Sequence, residues 1–216
     1  MRVTVPHAAA LSRRLSVPAV ALAIVGCATP GGAPPPDCPS DAQVAAMARR
    51  FVALQPEPDP PASLSLAGAE CGRDRLVQAL RATQGPVIGY KTALTNPAVQ
   101  QRFGWSSPIR GALFERSIVP DGSTVRADYG QRPVFEADLV VEVGSSAIHD
   151  ATTPAQVLAS LRAVHPFIEL ADLVAENPGR LGGPGITLIT PAPATACSAH
   201  RSRWAAIRSS PTRCAR

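Results

Sequence analysis

Apolar residues between Ser40 and Leu54 recur at helical spacing, through Ala45, Ala46, Phe51 and Leu54. Ser40 stands at the cap position and Gln43 at the capping-box position of this segment, and Pro56 to Pro61 ends it. A second amphipathic stretch runs from Leu66 to Thr83 with Leu76, Val77 and Leu80 on its stripe, and Gln84-Gly85-Pro86 closes it. The period then shortens. Val87 to Thr92 reads as a strand, Asn96 to Phe103 as a short helix with Pro97 at its first position, and Ile109 to Phe114 as extended. A turn at Asp121-Gly122 precedes Thr124 to Arg126, and a long strand covers Pro133 to Val143. Thr153-Pro154 caps a helix through Leu158 and Leu161, Phe167 to Leu170 is extended, and Gly185 to Thr190 reads as a further strand. A helix pair leading into strand-rich sequence predicts an α+β class with a mainly β body.

Charge alters this picture less than its total implies. The formal net charge is +5, which alone resembles a nucleic-acid binder. The excess lies at the ends: residues 1–27 carry three arginines and residues 190–216 five, with no acid in either. The remainder holds 13 basic against 16 acidic residues, so the body is mildly acidic and nucleic acid is excluded as the expected partner. Lys91 is the single lysine in the chain.

The N-terminus has the order of a signal peptide over residues 1–26: basic residues to Arg14, then the apolar run Leu15 to Gly26, too short to span a bilayer as a helix. Ile24-Val25-Gly26-Cys27 resembles the lipobox of bacterial lipoproteins, which implies acylation of Cys27, a lipid-anchored partner membrane and a periplasmic or outer-membrane location. Residues 27–39, rich in Pro and Gly, read as a tether. Export permits disulfides, and Cys38 and Cys71 flank the first helical segment; they pair and fasten the tether, or stay as two thiols. Residues 40–85 form the helical segment and 86–190 the β-rich segment. From 191 to 216 the chain lacks an apolar period and any acid, reading as a disordered tail of the kind a reading-frame shift leaves.

The candidate chemistry sits in the strand from Pro133 to Val143. Glu136 and Asp138 share one face, while Phe135, Ala137, Leu139 and Val141 share the other. On spacing alone this pair reads as the wet face of an edge strand. Two adjacent carboxylates also suit a hard cation such as Mg²⁺ or Mn²⁺, and Glu169, flanked by apolar residues in Pro166 to Leu170, is the candidate third ligand. Glu142 reads as a solvated strand end, and His149 and His165 as loop histidines.

Five ordered blocks carry a resemblance: Gly89 to Thr95, Val99 to Gly104, Pro108 to Phe114, Phe135 to Leu139, and Pro166 to Asp172. Together they resemble the 2-keto-4-pentenoate hydratase family of the fumarylacetoacetate hydrolase superfamily. The resemblance implies N-terminal helices followed by a mixed β-roll, here incomplete, and a Mg²⁺ or Mn²⁺ site of Glu136, Asp138 and Glu169. It implies Lys91 as the catalytic acid–base residue and Asp172 as a supporting carboxylate. The implied reaction is water addition to a 2-hydroxy-2,4-dienoate, giving a 4-hydroxy-2-oxo acid in aromatic-compound catabolism. Related decarboxylases and acylpyruvate hydrolases share such a site, but no histidine here clearly matches the hydrolases' catalytic one. The family carries Glu-x-Glu where this chain has Glu136-Ala137-Asp138. A non-catalytic envelope lipoprotein that binds oxo acids, and an inactive truncated product, are the competing readings; a homo-oligomer is compatible with all three.

Overall fold

The computed structural model describes residues 33–190 and the strands Thr195–Ser198 and Ser202–Arg203. The signal segment, Cys27 and most of the tail lie outside the described residues. Helix α1, Asp41–Val52, opens on Ser40, whose hydroxyl accepts from the backbone of Gln43 while the Gln43 side chain accepts from the Ser40 backbone. Asp41 in its first turn and Arg49 and Arg50 in its last complement the helix dipole. Helix α2, Leu66–Gln84, is capped by Ser65 and ends at Gly85, whose φ of 81° only glycine adopts without strain. Its buried face, Ala69, Gly72, Arg73, Leu76 and Leu80, keeps helical spacing. A disulfide joins Cys38 to Cys71, tying residues just ahead of α1 to the second turn of α2.

Strands β1, Val87–Ala93, and β2, Ile109–Phe114, pair antiparallel as a separate ribbon, with the short helix α3, Pro97–Arg102, between them. Strand β3, Ile118–Val119, was not foreseen. Strand β4, Pro133–Val143, pairs antiparallel with β5, Leu161–Asp172, along its whole length, and α4, Pro154–Ala159, lies in the connection. Strand β5 therefore begins where a helix was still expected, and His165 lies on it rather than in a loop. The long pairing with β4 supplies backbone partners that the local helical pattern does not outweigh. The second sheet runs β3-β6-β5-β4, with β6, Thr195–Ser198, parallel to β3, and β7, Ser202–Arg203, also on β5. These two strands depart from the expectation of an entirely disordered tail. They fill the hydrogen-bonding row that β5 presents away from β4.

The segment expected as a last strand is instead helix α5, Gly183–Ile189. Pro184 at its start favours the helix, and Thr187 satisfies its hydroxyl on the Gly183 carbonyl one turn back. Packing decides the matter, because Leu188 joins the core and the Trp105 ring lies where a side chain at Gly183 would stand. That core unites α1, α2, β2 and α5 through Val44, Met47, Leu76, Leu80, Phe114 and Leu188. The helical and β-rich segments thus share one core. Among the described residues no helix is long and apolar enough to cross a membrane.

Candidate functional site

Strand alternation turns Lys91 to the half-buried side of β1, with Tyr90 and Thr92 on the exposed side. Across the ribbon Lys91 faces Gly111, where a Cβ would come within 2.6 Å of Thr190 Cγ2 and 3.1 Å of Lys91 Cγ. Glycine there lets the lysine stem and the end of α5 occupy the same small volume. On the other sheet Glu169 is buried on β5 and stands opposite Glu136 on β4. The Lys91 ammonium donates to the Glu169 carboxylate, forming an ion pair whose side chains are only 17% and 9% exposed. Among the described residues this charged contact bridges the two sheets.

A cavity of about 250 Å³ opens beside this pair. Lys91, Glu136, Glu169 and Asp172 supply its polar wall, while Phe103, Leu181 and Ile189 are among its apolar lining. The Asp172 carboxylate accepts from the backbone N–H groups of Gln131 and Arg132 at 2.9 and 2.8 Å, which fixes its direction. Next to that loop the Tyr129 hydroxyl donates to the Val134 carbonyl at 2.6 Å, and burial, then the Asp172 charge, raises its pKa. Leu94, which follows β1 and lines the cavity, has a φ of 55°, a left-handed conformation that strains a leucine.

The sequence-predicted residues separate into two groups. Lys91, Glu136, Glu169 and Asp172 converge on the cavity. Asp138 does not line it: its side chain is exposed and accepts from the Leu139 backbone N–H at 2.7 Å. Among the described residues no three acidic, histidine or cysteine side chains stand together ready to hold a metal ion. The expected trio is thus not assembled as a cage, because Lys91 holds Glu169 and Asp138 has turned to its own backbone. Its backbone placement still suits a hard divalent cation, since all three residues project from one face of the β4–β5 ladder. Glu142 is half-buried and bound to Arg162 at 2.7 Å, with His165 at 3.7 Å, so it is a structural ion pair rather than a bare strand end. The apolar wall from α5 escaped the sequence reading because that segment looked like a strand.

No protein-family model matches the chain. Over 91 residues it is 32% identical to 2-keto-4-pentenoate hydratase 2 of Dechloromonas aromatica (strain RCB), covering 42% of this chain and 35% of that protein. It is 30% identical over 91 residues to 4-oxalocrotonate decarboxylase of Pseudomonas putida, covering 42% of this chain and 34% of the relative. The match thus spans about a third of the length of these curated relatives. Among solved structures, 4-oxalocrotonate decarboxylase from Pseudomonas putida G7 complexed with magnesium and adipate superposes with a TM-score of 0.67 at 19% identity, covering 78% of this chain and 66% of that one. The same enzyme complexed with calcium and acetate gives a TM-score of 0.63. The chain has homologues among the hydratases and decarboxylases of this group, and it shares their mixed α/β fold.

Proposed function

We propose that the chain is a metal-dependent, hydratase-like protein that adds water to a 2-hydroxy-2,4-dienoate to give a 4-hydroxy-2-oxo acid. The observation that carries this reading is the Lys91–Glu169 pair on the wall of an acid-and-apolar cavity. Glu136 and Glu169, with Asp138 beside them on the same face, would hold Mg²⁺ or Mn²⁺. When bound, such an ion would stabilise negative charge developing on the 2-oxo oxygen. With Glu169 turned to the ion, Lys91 supplies a positive donor toward the substrate's oxygens and a group that holds and returns a proton there. Asp172, fixed by two backbone donors, orients the polar wall. Phe103, Leu181 and Ile189 receive the carbon tail and exclude bulk water.

One feature favours hydration over the decarboxylase reading. Adipate, bound in the similar structure, is a dicarboxylate, and its counterpart here would need a second cation. Lys91 is the single basic residue among the described lining residues, and in this reading it serves the substrate's 2-oxo end, leaving no further side-chain cation among them for a distal carboxylate. A monoacid with an apolar tail suits this wall better. Product analysis tests the choice: appearance of a 4-hydroxy-2-oxo acid supports hydration, and release of carbon dioxide from a 2-oxo dicarboxylate supports decarboxylation. Saturable dienoate binding without turnover favours the non-catalytic oxo-acid lipoprotein instead.

An exported, Cys27-anchored location belongs to the same reading. The Cys38–Cys71 disulfide supports an oxidising compartment. Radiolabelled palmitate incorporated by the wild-type chain and not by Cys27→Ala is the expected result; equal labelling would contradict it.

A further inference from the structure

A second cleft, of about 330 Å³, lies between α2 and the β1–β2 ribbon and shares no lining residue with the cavity beside Lys91. Tyr90, the neighbour of Lys91, turns to the opposite side of the strand and lines it. Three guanidinium groups converge there. Arg73 and Arg81, with Val77 between them, recur every fourth residue along one face of α2. Arg110 comes from β2, and its Cζ lies 5.0 Å from the centre of the Tyr90 ring.

The three arginines are held differently. Arg73 is buried at 6% exposure and bound to Asp74 at 2.9 Å, with Glu70 at 4.0 Å, so its charge is compensated. Arg81 bonds the neutral Gln78 amide at 3.3 Å, and Arg110 rests on Tyr90. Neither forms an ion pair among the described residues. Asp74 is the one acid among the described lining residues of the cleft, which leaves two positive charges uncompensated in a concave space. Like charges gathered in a cleft repel one another and focus a positive field on whatever enters. Guanidinium forks match the oxygens of a phosphate group, and a dianion balances this charge.

We propose that the cleft binds a phosphate dianion, through Arg81 and Arg110 with Arg73 behind them, and that the Tyr90 ring supports the body of a phosphate monoester. The proposal is independent of the chemistry at Lys91. Calorimetric titration of the full chain, in a low-salt buffer free of oxyanions, with inorganic phosphate and separately with phenyl phosphate tests it. Saturable binding at one site is expected, weakened about tenfold or more in Arg81→Gln and in Arg110→Gln, and retained in Lys91→Met. Both arginines are exposed, so their variants should keep the wild-type unfolding temperature. Tighter binding of phenyl phosphate, lost in Tyr90→Ala, assigns the site to a monoester; equal affinities assign it to inorganic phosphate. Absence of saturable binding, binding unchanged in both arginine variants, or binding abolished by Lys91→Met overturns the proposal.

Discussion

Replacing Lys91 by methionine leaves the buried Glu169 carboxylate without its cation. A buried group stripped of its partner costs about 1–3 kcal/mol. Urea unfolding should therefore show Lys91→Met less stable than wild type, while Lys91→Met combined with Glu169→Gln recovers part of the loss. Additive losses in the double variant would argue against the pair. Asp37 offers a separate test at this scale. Its carboxylate accepts from the Ser65 backbone N–H at 2.7 Å at the start of α2, and this bond lowers its pKa below 3.8. A depressed carboxylate stabilises the fold above its unfolded pKa and loses that contribution as pH falls through the folded value. The stability gap between wild type and Asp37→Asn should be full at neutral pH and close as pH falls through the lowered pKa of the folded carboxylate. A gap that stays constant with pH would contradict the assignment.

Elements show where local pattern sufficed and where it did not. The starts of α1, α3 and α4 were legible because each is written in a capping side chain, Ser40, Asn96 and Thr153, whereas α2 was legible from its apolar stripe and its cap, Ser65, emerges only in the structure. The alternation of β4 likewise placed Glu136 and Asp138 on one face. Helix α5 was not legible, since Ile186 to Thr190 carry strand propensity, and packing against α2 and Trp105 makes them helical. The side-chain choice of Asp138 was also hidden, because strand period fixes a face and not a rotamer. Gly111 tests how α5 is held. Gly111→Ala should push Thr190 away and loosen the cavity wall, read as faster hydrogen exchange across α5; unchanged exchange would show that α5 is held elsewhere. The Cys38–Cys71 link closes a separation of 33 residues. Cys71→Ser should lower stability by about 3–4 kcal/mol in an oxidised preparation and by nothing under reductant. Equal stability in the oxidised state would contradict this.

At the scale of the molecule, the two faces of the β4–β5 ladder contrast. The carboxylate face is the inner one, and the apolar face is open: Phe135 is 80% exposed and Leu139 63%. Ile168 and Val141 continue the same surface, and β4 is an edge strand. Such a surface favours association or dye binding. Leu139→Lys should lower binding of a hydrophobic fluorescent dye and reduce concentration-dependent association; no change in either would show that this face is covered. On the inner face Lys91, Glu136 and Glu169 meet on one cavity. The most direct measurement follows the conjugated-diene absorbance of a 2-hydroxy-2,4-dienoate with the full chain, with and without Mg²⁺, for wild type and Lys91→Met. Mg²⁺-dependent loss of the diene in wild type, absent in Lys91→Met, is the predicted result. An absorbance that stays constant with Mg²⁺ present, or that decays equally in the variant, would contradict the account.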